Sequence, residues 1–250
     1  MRLTKGPIAI CFLLLFVVAI SAVLSRAAFF KKQQPENPDF SNFPIVDLAA
    51  PSPPESKAKA VRDLKARKYS KKYGKTIGEE TDQIFSTSDW DVRLPALPVQ
   101  RSAAVIIGTV SRADAYLTPD KTGVYSEFAV KVDSILKEDP KKQLTGGDTI
   151  SVERNGGRIR MPSGKIAVSW TSHQDMPKVG SRYVFFLTHD FEVAGDTNDD
   201  FYLLAGYELK DGKVFPLDKS PKQSVLDYKS TIESSFLTDL VEALKTHMSY

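Results

Sequence analysis

VYSEFAVKVD, residues 124–133, decides the architecture. Val124, Ser126, Phe128, Val130 and Val132 share one face of an extended chain. Tyr125, Glu127, Ala129, Lys131 and Asp133 share the other. A period of two with one apolar face is the pattern of a half-buried β-strand. The stretches around it read alike. Val105, Ile107 and Thr109 alternate with Ile106, Gly108 and Val110, and Ile150 and Val152 begin another strand. Arg158–Met161, Ile166–Trp170, Tyr183–Thr188, Phe201–Leu209 and Val214–Leu217 follow. Asn155-Gly156 and Asp211-Gly212 are hairpin dipeptides. About seven short strands without intervening helices predict a mainly β domain over 103–217, an antiparallel barrel or sandwich rather than a parallel α/β sheet.

Outward from this body the chain changes character. In 218–250, Ser230 and Glu233 form a capping-box pattern, and Ile232, Phe236, Leu237, Leu240, Val241 and Leu244 make one stripe of an amphipathic helix. Packing on the barrel explains that stripe, and a partner docking through Ile232–Leu244 is the sharper expectation. Segment 76–102 connects the barrel to a basic arm at 55–75, which holds nine Lys/Arg against Glu55 and Asp63. Ser52-Pro53-Pro54-Glu55 reads as a helix start and Gly74 as its stop. The arm's apolar residues do not align, so it reads as a solvated, partly helical segment. Lys65, Arg67, Lys68, Lys71 and Lys72 are its candidates for contact with anionic lipid or polymer, each basic residue near such a surface contributing ~1 kcal/mol.

Residues 33–54 carry six prolines and read as a linker. Ile8–Ser25 is a run of eighteen residues without a charge, ~27 Å as a helix, enough to cross a bilayer core. Segment 1–32 therefore reads as an uncleaved signal-anchor, a single span in the lipid bilayer, with a cleaved secretory signal as the alternative. Arg26, Lys31 and Lys32 outnumber Arg2 and Lys5, which by charge alone favours a cytoplasmic C-terminus. The short N-terminal tail favours export, and the reading adopted is a C-terminal domain outside the cytoplasm.

The whole chain has 250 residues and a net charge of +3, a composition that excludes a wholly disordered chain and a multi-span membrane protein. The net charge is an average of unlike parts: residues 1–54 carry +2, residues 55–75 carry +7 and residues 76–250 carry −6. An acidic body is a poor partner for phosphate backbones, so nucleic acid is not an expected ligand. The single cysteine, Cys11, lies in the apolar run, which excludes a disulfide framework and a multi-cysteine zinc site.

AAVIIGTV (103–110), EFAVKVDSILK (127–137), GDTISVE (147–153) and KVGSRYVFFL (178–187), ending in a glycine-turned hairpin, resemble the netrin/TIMP-like OB-fold domains. The resemblance implies an OB-like barrel used outside the cell for binding. The chain has no cysteine after Cys11, so the cysteine-dependent metalloprotease inhibition of the family's animal members does not carry over.

No G-x-S-x-G, H-E-x-x-H, C-x-x-C or Walker A sequence occurs. His173 with Asp175 and His189 with Asp190 are His–carboxylate pairs of the kind that orient a base or bind metal. Asp196, Asn198 and Asp200 place oxygen ligands at alternate positions, a pattern for weak calcium binding, although the later glycine and glutamate of an EF-hand loop are missing. Tyr116, Tyr125, Trp170, Tyr202 and Tyr207 are candidates to line a ligand-stacking face. Three functions follow: a non-catalytic binding or scaffolding module, a metal-assisted extracytoplasmic hydrolase built on His173, His189 and the 196–200 loop, or a structural subunit of an envelope complex.

Overall fold

The computed structural model describes residues 39–50, 57–70, 76–78, 84–87, 91, 93–189 and 200–248. The 8–25 run, the start of the predicted arm helix, Gly74, Lys71, Lys72, Asp196 and Asn198 lie outside them. Among the described residues no helix is long and apolar enough to cross a membrane. In chain order the strands are β1 (Ile45–Asp47), β2 (Ile84–Thr87), β3 (Ala104–Leu117), β4 (Val124–Lys137), β5 (Thr149–Asn155), β6 (Gly157–Arg160), β7 (Ile166–Thr171), β8 (Arg182–Thr188), β9 (Phe201–Lys210), β10 (Lys213–Pro216) and β11 (Thr231–Ile232). The α-helices are α1 (Lys57–Ala66), α2 (Gln223–Leu226) and α3 (Glu233–Met248).

The domain is mainly β, and its centre is a closed barrel of five strands, β3-β4-β5-β9-β8, with β8 returning to β3. All neighbours are antiparallel except β5 and β9, which run parallel at Val152↔Phe201 and Glu153↔Tyr202. The inward half of the 124–133 alternation fills the barrel. Phe128, Val130 and Val132 meet Ile106, Val110, Ile150, Val152, Phe185, Leu187, Phe201 and Leu203. Asp211-Gly212 turns the β9–β10 hairpin as its sequence predicts.

The expectation of about seven strands in one barrel is corrected by the chain's course after β5. Asn155-Gly156 makes no hairpin: β5 pairs with β4, while the next strand, β6, pairs with β1 and β7 in a separate four-stranded sheet. Gly156 (φ 108°) swivels the backbone there, with the Ser169 carbonyl so near that a Cβ would lie 2.7 Å from it. The hairpin turn comes later, with Met161 N–H donating to the Lys165 carbonyl.

The 33–54 segment is not wholly a linker. Its described part carries Phe43, buried in the barrel core and edge-on to Phe40, and β1, which runs parallel to β6. The capping box at Ser230 does not form either, because Thr231–Ile232 pair with β10 and α3 starts only at Glu233. Phe236, Leu240 and Leu244 of α3 then pack on Val105, Ile107, Val184, Phe186, Leu209 and Val214. Of the predicted stripe, Ile232 and Val241 remain exposed.

Candidate functional site

Helix α1 begins the site. Lysines and alanines are good helix formers, so residues 57–66 are helical, and a short 3₁₀ turn, Arg67–Tyr69, ends the run well before Gly74. The helix lies on the outer face of the barrel, over the polar half of the 124–133 alternation. Its fit is local and tight: a Cβ at Gly123, in the β3–β4 turn, would lie 2.1 Å from the Tyr69 carbonyl oxygen. Just beyond, Ile77 N–H donates to the Lys121 carbonyl of the same turn at 2.8 Å.

Beneath the arm, Glu127 of β4 stands directly opposite Glu153 of β5, and Glu153 stands opposite Tyr202 of β9. Like charges facing each other across a ladder are destabilising unless something answers them. Lys65 answers them: its Nζ is 2.9 Å from Glu127 Oε1 and 2.7 Å from Glu153 Oε1, and it also pairs with Asp200. Lys68 Nζ is 2.6 Å from Glu153 Oε2, and the Tyr69 hydroxyl donates to that oxygen at 2.5 Å. The Tyr125 hydroxyl donates to Glu127 Oε1 at 3.0 Å. The Glu153 side chain is fully buried, whereas Glu127 and Asp200 are about one-fifth exposed, at 20% and 22%.

Aromatic rings frame the charges. Tyr69 stacks on Tyr125 with centroids 4.5 Å apart and planes within 5°. Tyr116 tilts against Tyr125 at 5.5 Å, with the Arg62 guanidinium 4.8 Å above its ring. Tyr202 packs against the same cluster. Burial pushes the Tyr69 phenol well above its ordinary value, and the Tyr202 and Tyr125 phenols and the carboxylates of Glu127 and Asp200 push it the same way. Burial and Glu127 likewise raise Tyr125. Both phenols therefore stay protonated and act as donors.

No protein-family model matches the chain, and no curated protein matches it. What the face can do is read from its own chemistry. Three carboxylates converge on the Lys65 ammonium, and the rings of Tyr116, Tyr125 and Tyr202 gather around Tyr69 of the arm beside them.

The sequence candidates divide accordingly. Tyr116, Tyr125 and Tyr202 come together on this face, while Trp170 and Tyr207 are elsewhere. Trp170 donates from Nε1 to the Gln174 carbonyl at 2.7 Å and packs edge-on to Phe40. Tyr207 is buried below α3 against Phe236, and its hydroxyl donates to the Ala96 carbonyl at 2.6 Å. Both serve the fold. Lys65 and Lys68 do meet an anionic surface, but it is this chain's own barrel, and only Arg67 of the described candidates is exposed. Asp200, a candidate calcium ligand, has its carboxylate on Lys65.

His173 and His189 do not meet. His173 Nδ1 lies 3.2 Å from the Lys219 carbonyl. His189 Nε2 pairs with Asp139 Oδ2 at 2.6 Å in an open cleft of about 520 Å³ lined also by Arg101, Ser102 and Lys141. Among the described residues no three His, Cys, Asp or Glu converge as a metal shell.

Glu127 and Glu153 escaped sequence reading as site residues. Both sit in plain alternation, and their opposition exists only once the β4–β5 register is fixed. A second buried ion pair, inside the barrel, shows a different use of charge. Arg154 donates to the Asp175 carbonyl and to Asp218 Oδ1, each at 2.6 Å. Burial raises the Asp218 carboxyl in spite of this Arg154 partner.

Proposed function

We propose that the chain is a membrane-anchored, non-catalytic binding module, an OB-like barrel carried outside the cytoplasm that takes a cationic ligand on its outer β4–β5–β9 face. The order β3-β4-β5-β9-β8 with a parallel β5–β9 closure supports the OB-like reading, and the Ile8–Ser25 run supports the anchor. One observation carries the binding role: Glu127 and Glu153 face each other in a row with Tyr202, beside the Tyr125–Tyr116 pair on the same sheet. A barrel that needed only stability would not oppose two glutamates at a covered position. Cation–π attraction to the phenol rings adds to the carboxylates' charge, so an ammonium or guanidinium suits this face better than a neutral ligand.

The test uses the detergent-solubilised full-length chain with the arm's grip loosened by Lys65→Met and Lys68→Met. Fluorescent oligolysine should bind it saturably at low salt, and adding Glu153→Gln should weaken that binding at least tenfold. Oligoglutamate should not bind. Absence of oligolysine binding, or binding indifferent to Glu153→Gln, would overturn the proposal.

A further inference from the structure

The binding face is already occupied, and its occupant describes the ligand. Residues 57–70 present Lys65 in the last turn of the helix and Lys68 three residues on, in the 3₁₀ turn that follows, with Tyr69 next in line. These place two ammonium groups and a phenol on Glu153, and the first ammonium also on Glu127 and Asp200. We propose that this arm is a self-ligand: the face is a docking site for a basic helix of a partner protein bearing a Lys-x-x-Lys-Tyr pattern, and the chain's own arm closes it until that helix displaces it. The inference rests on the binding-module reading above and specifies its ligand.

Three features mark the arm as displaceable rather than as one more element of the core. First, its apolar contribution is small. Ala66 and Tyr69 are buried with Tyr125, but Val61 is 48% exposed and no apolar stripe runs along the helix. Second, the barrel core is complete beneath it. Phe128, Val130, Val152 and Phe201 point inward, away from the arm, and pack among themselves and the other strands. Third, release of the arm opens the carboxylates of Glu127, Glu153 and Asp200 to water instead of stranding them. Arg154 and Asp218, enclosed by the barrel and its loops, have no such escape.

The arm's +7 against the body's −6 supplies the attraction that holds the cover. The same attraction steers any basic helix to this face. A tethered arm competes at an effective concentration on the order of millimolar, so a free helix of equal chemistry binds the intact chain only weakly. A partner succeeds where it adds contacts of its own or where the arm is drawn away.

Two measurements test this together. A labelled peptide copying residues 57–70 is titrated, by fluorescence anisotropy, onto the full-length chain and onto the Lys65→Met, Lys68→Met variant, both in detergent and both checked for cooperative melting. The variant should bind the peptide at least tenfold more tightly than the unaltered chain. In the unaltered chain, millimolar peptide should strip amide-exchange protection from residues 57–66 while leaving that of β3–β5 and α3 intact; this second readout needs no substitution. Equal affinity for both chains, or an arm whose protection ignores the peptide, would overturn the self-ligand. If oligolysine still binds the variant in that case, the binding face survives and only its closure by the arm falls. If neither probe binds the folded variant, both proposals fall. Concentration-dependent dimerisation of the unaltered chain at low salt, lost on Glu153→Gln, would assign the face to a second copy and overturn the foreign partner.

Discussion

Helices α1 and α3 each cover an outer face of one barrel. Under α3 lie Val105, Ile107, Val184, Phe186, Leu209 and Val214, met by Phe236, Leu240 and Leu244. Under α1 lie Glu127, Glu153, Asp200, Tyr116, Tyr125 and Tyr202, met by Lys65, Lys68 and Tyr69. Apolar burial is worth about 25 cal/mol per Å², and salt does not screen it. Ion pairs spend much of their attraction on desolvation and weaken as ionic strength rises. The first cover is therefore part of the fold. The second is a fitted lid over groups that water would also accept.

The contrast is sharpest in paired substitutions. Phe236 is fully buried, and Phe236→Ala should cost about 3–5 kcal/mol of global stability. Urea unfolding should report the same loss at low and at high salt. Lys65→Ala removes the ammonium shared by three carboxylates. Breaking a fully enclosed pair costs about 3–5 kcal/mol, but here the loss is capped by arm release, which rehydrates the carboxylates. The variant should keep a nearly unchanged urea midpoint while amides 57–66 lose their exchange protection. A fall in global stability as large as that of Phe236→Ala would erase the distinction between the two faces.

The alkaline limb gives a smaller effect near neutrality that grows with pH. The Tyr69 phenol is raised above its ordinary value of 10.0 by burial first, then by neighbouring phenols and carboxylates. The unfolded chain thus releases this proton at lower pH than the folded one. The associated stability is whole below pH 10 and is lost as pH rises beyond it. Tyr183, pushed up to about 12 by burial, adds to the same limb inside the barrel. Tyrosinate absorbance should rise together with unfolding between these values. Arm protection should be lost in the same rise, because an ionised Tyr69 would face Glu153 and Glu127.

Much of this was legible in the residues. The 124–133 alternation gives β4 and its inward face, and the Phe236–Leu244 spacing gives the docked helix. The opposition of a basic arm to an acidic body was also visible as segment charges. What a linear reading misses is pairing. Glu127 and Glu153 lie 26 positions apart and become neighbours only through a register. A lysine run looks solvated until its partner surface exists, so the arm's anionic target reads as external. Strands of three and four residues, β1 and β2, leave no periodicity to detect, and both pair in parallel with strands far along the chain. Gly156 carries a hairpin signature but serves a change of sheet, where φ is positive and the Ser169 carbonyl fills the space a Cβ would need.

The central claim is that charge holds α1 in place and apolar packing holds α3. Amide exchange of the full-length chain in detergent tests it most directly, compared between about 0.1 M and about 1 M salt, where the screening length shrinks from ~10 Å to ~3 Å. Protection in residues 57–66 should fall at least tenfold, while protection in 233–248 holds within twofold. An arm that keeps its protection at high salt, or two helices that lose it in parallel, would contradict the account.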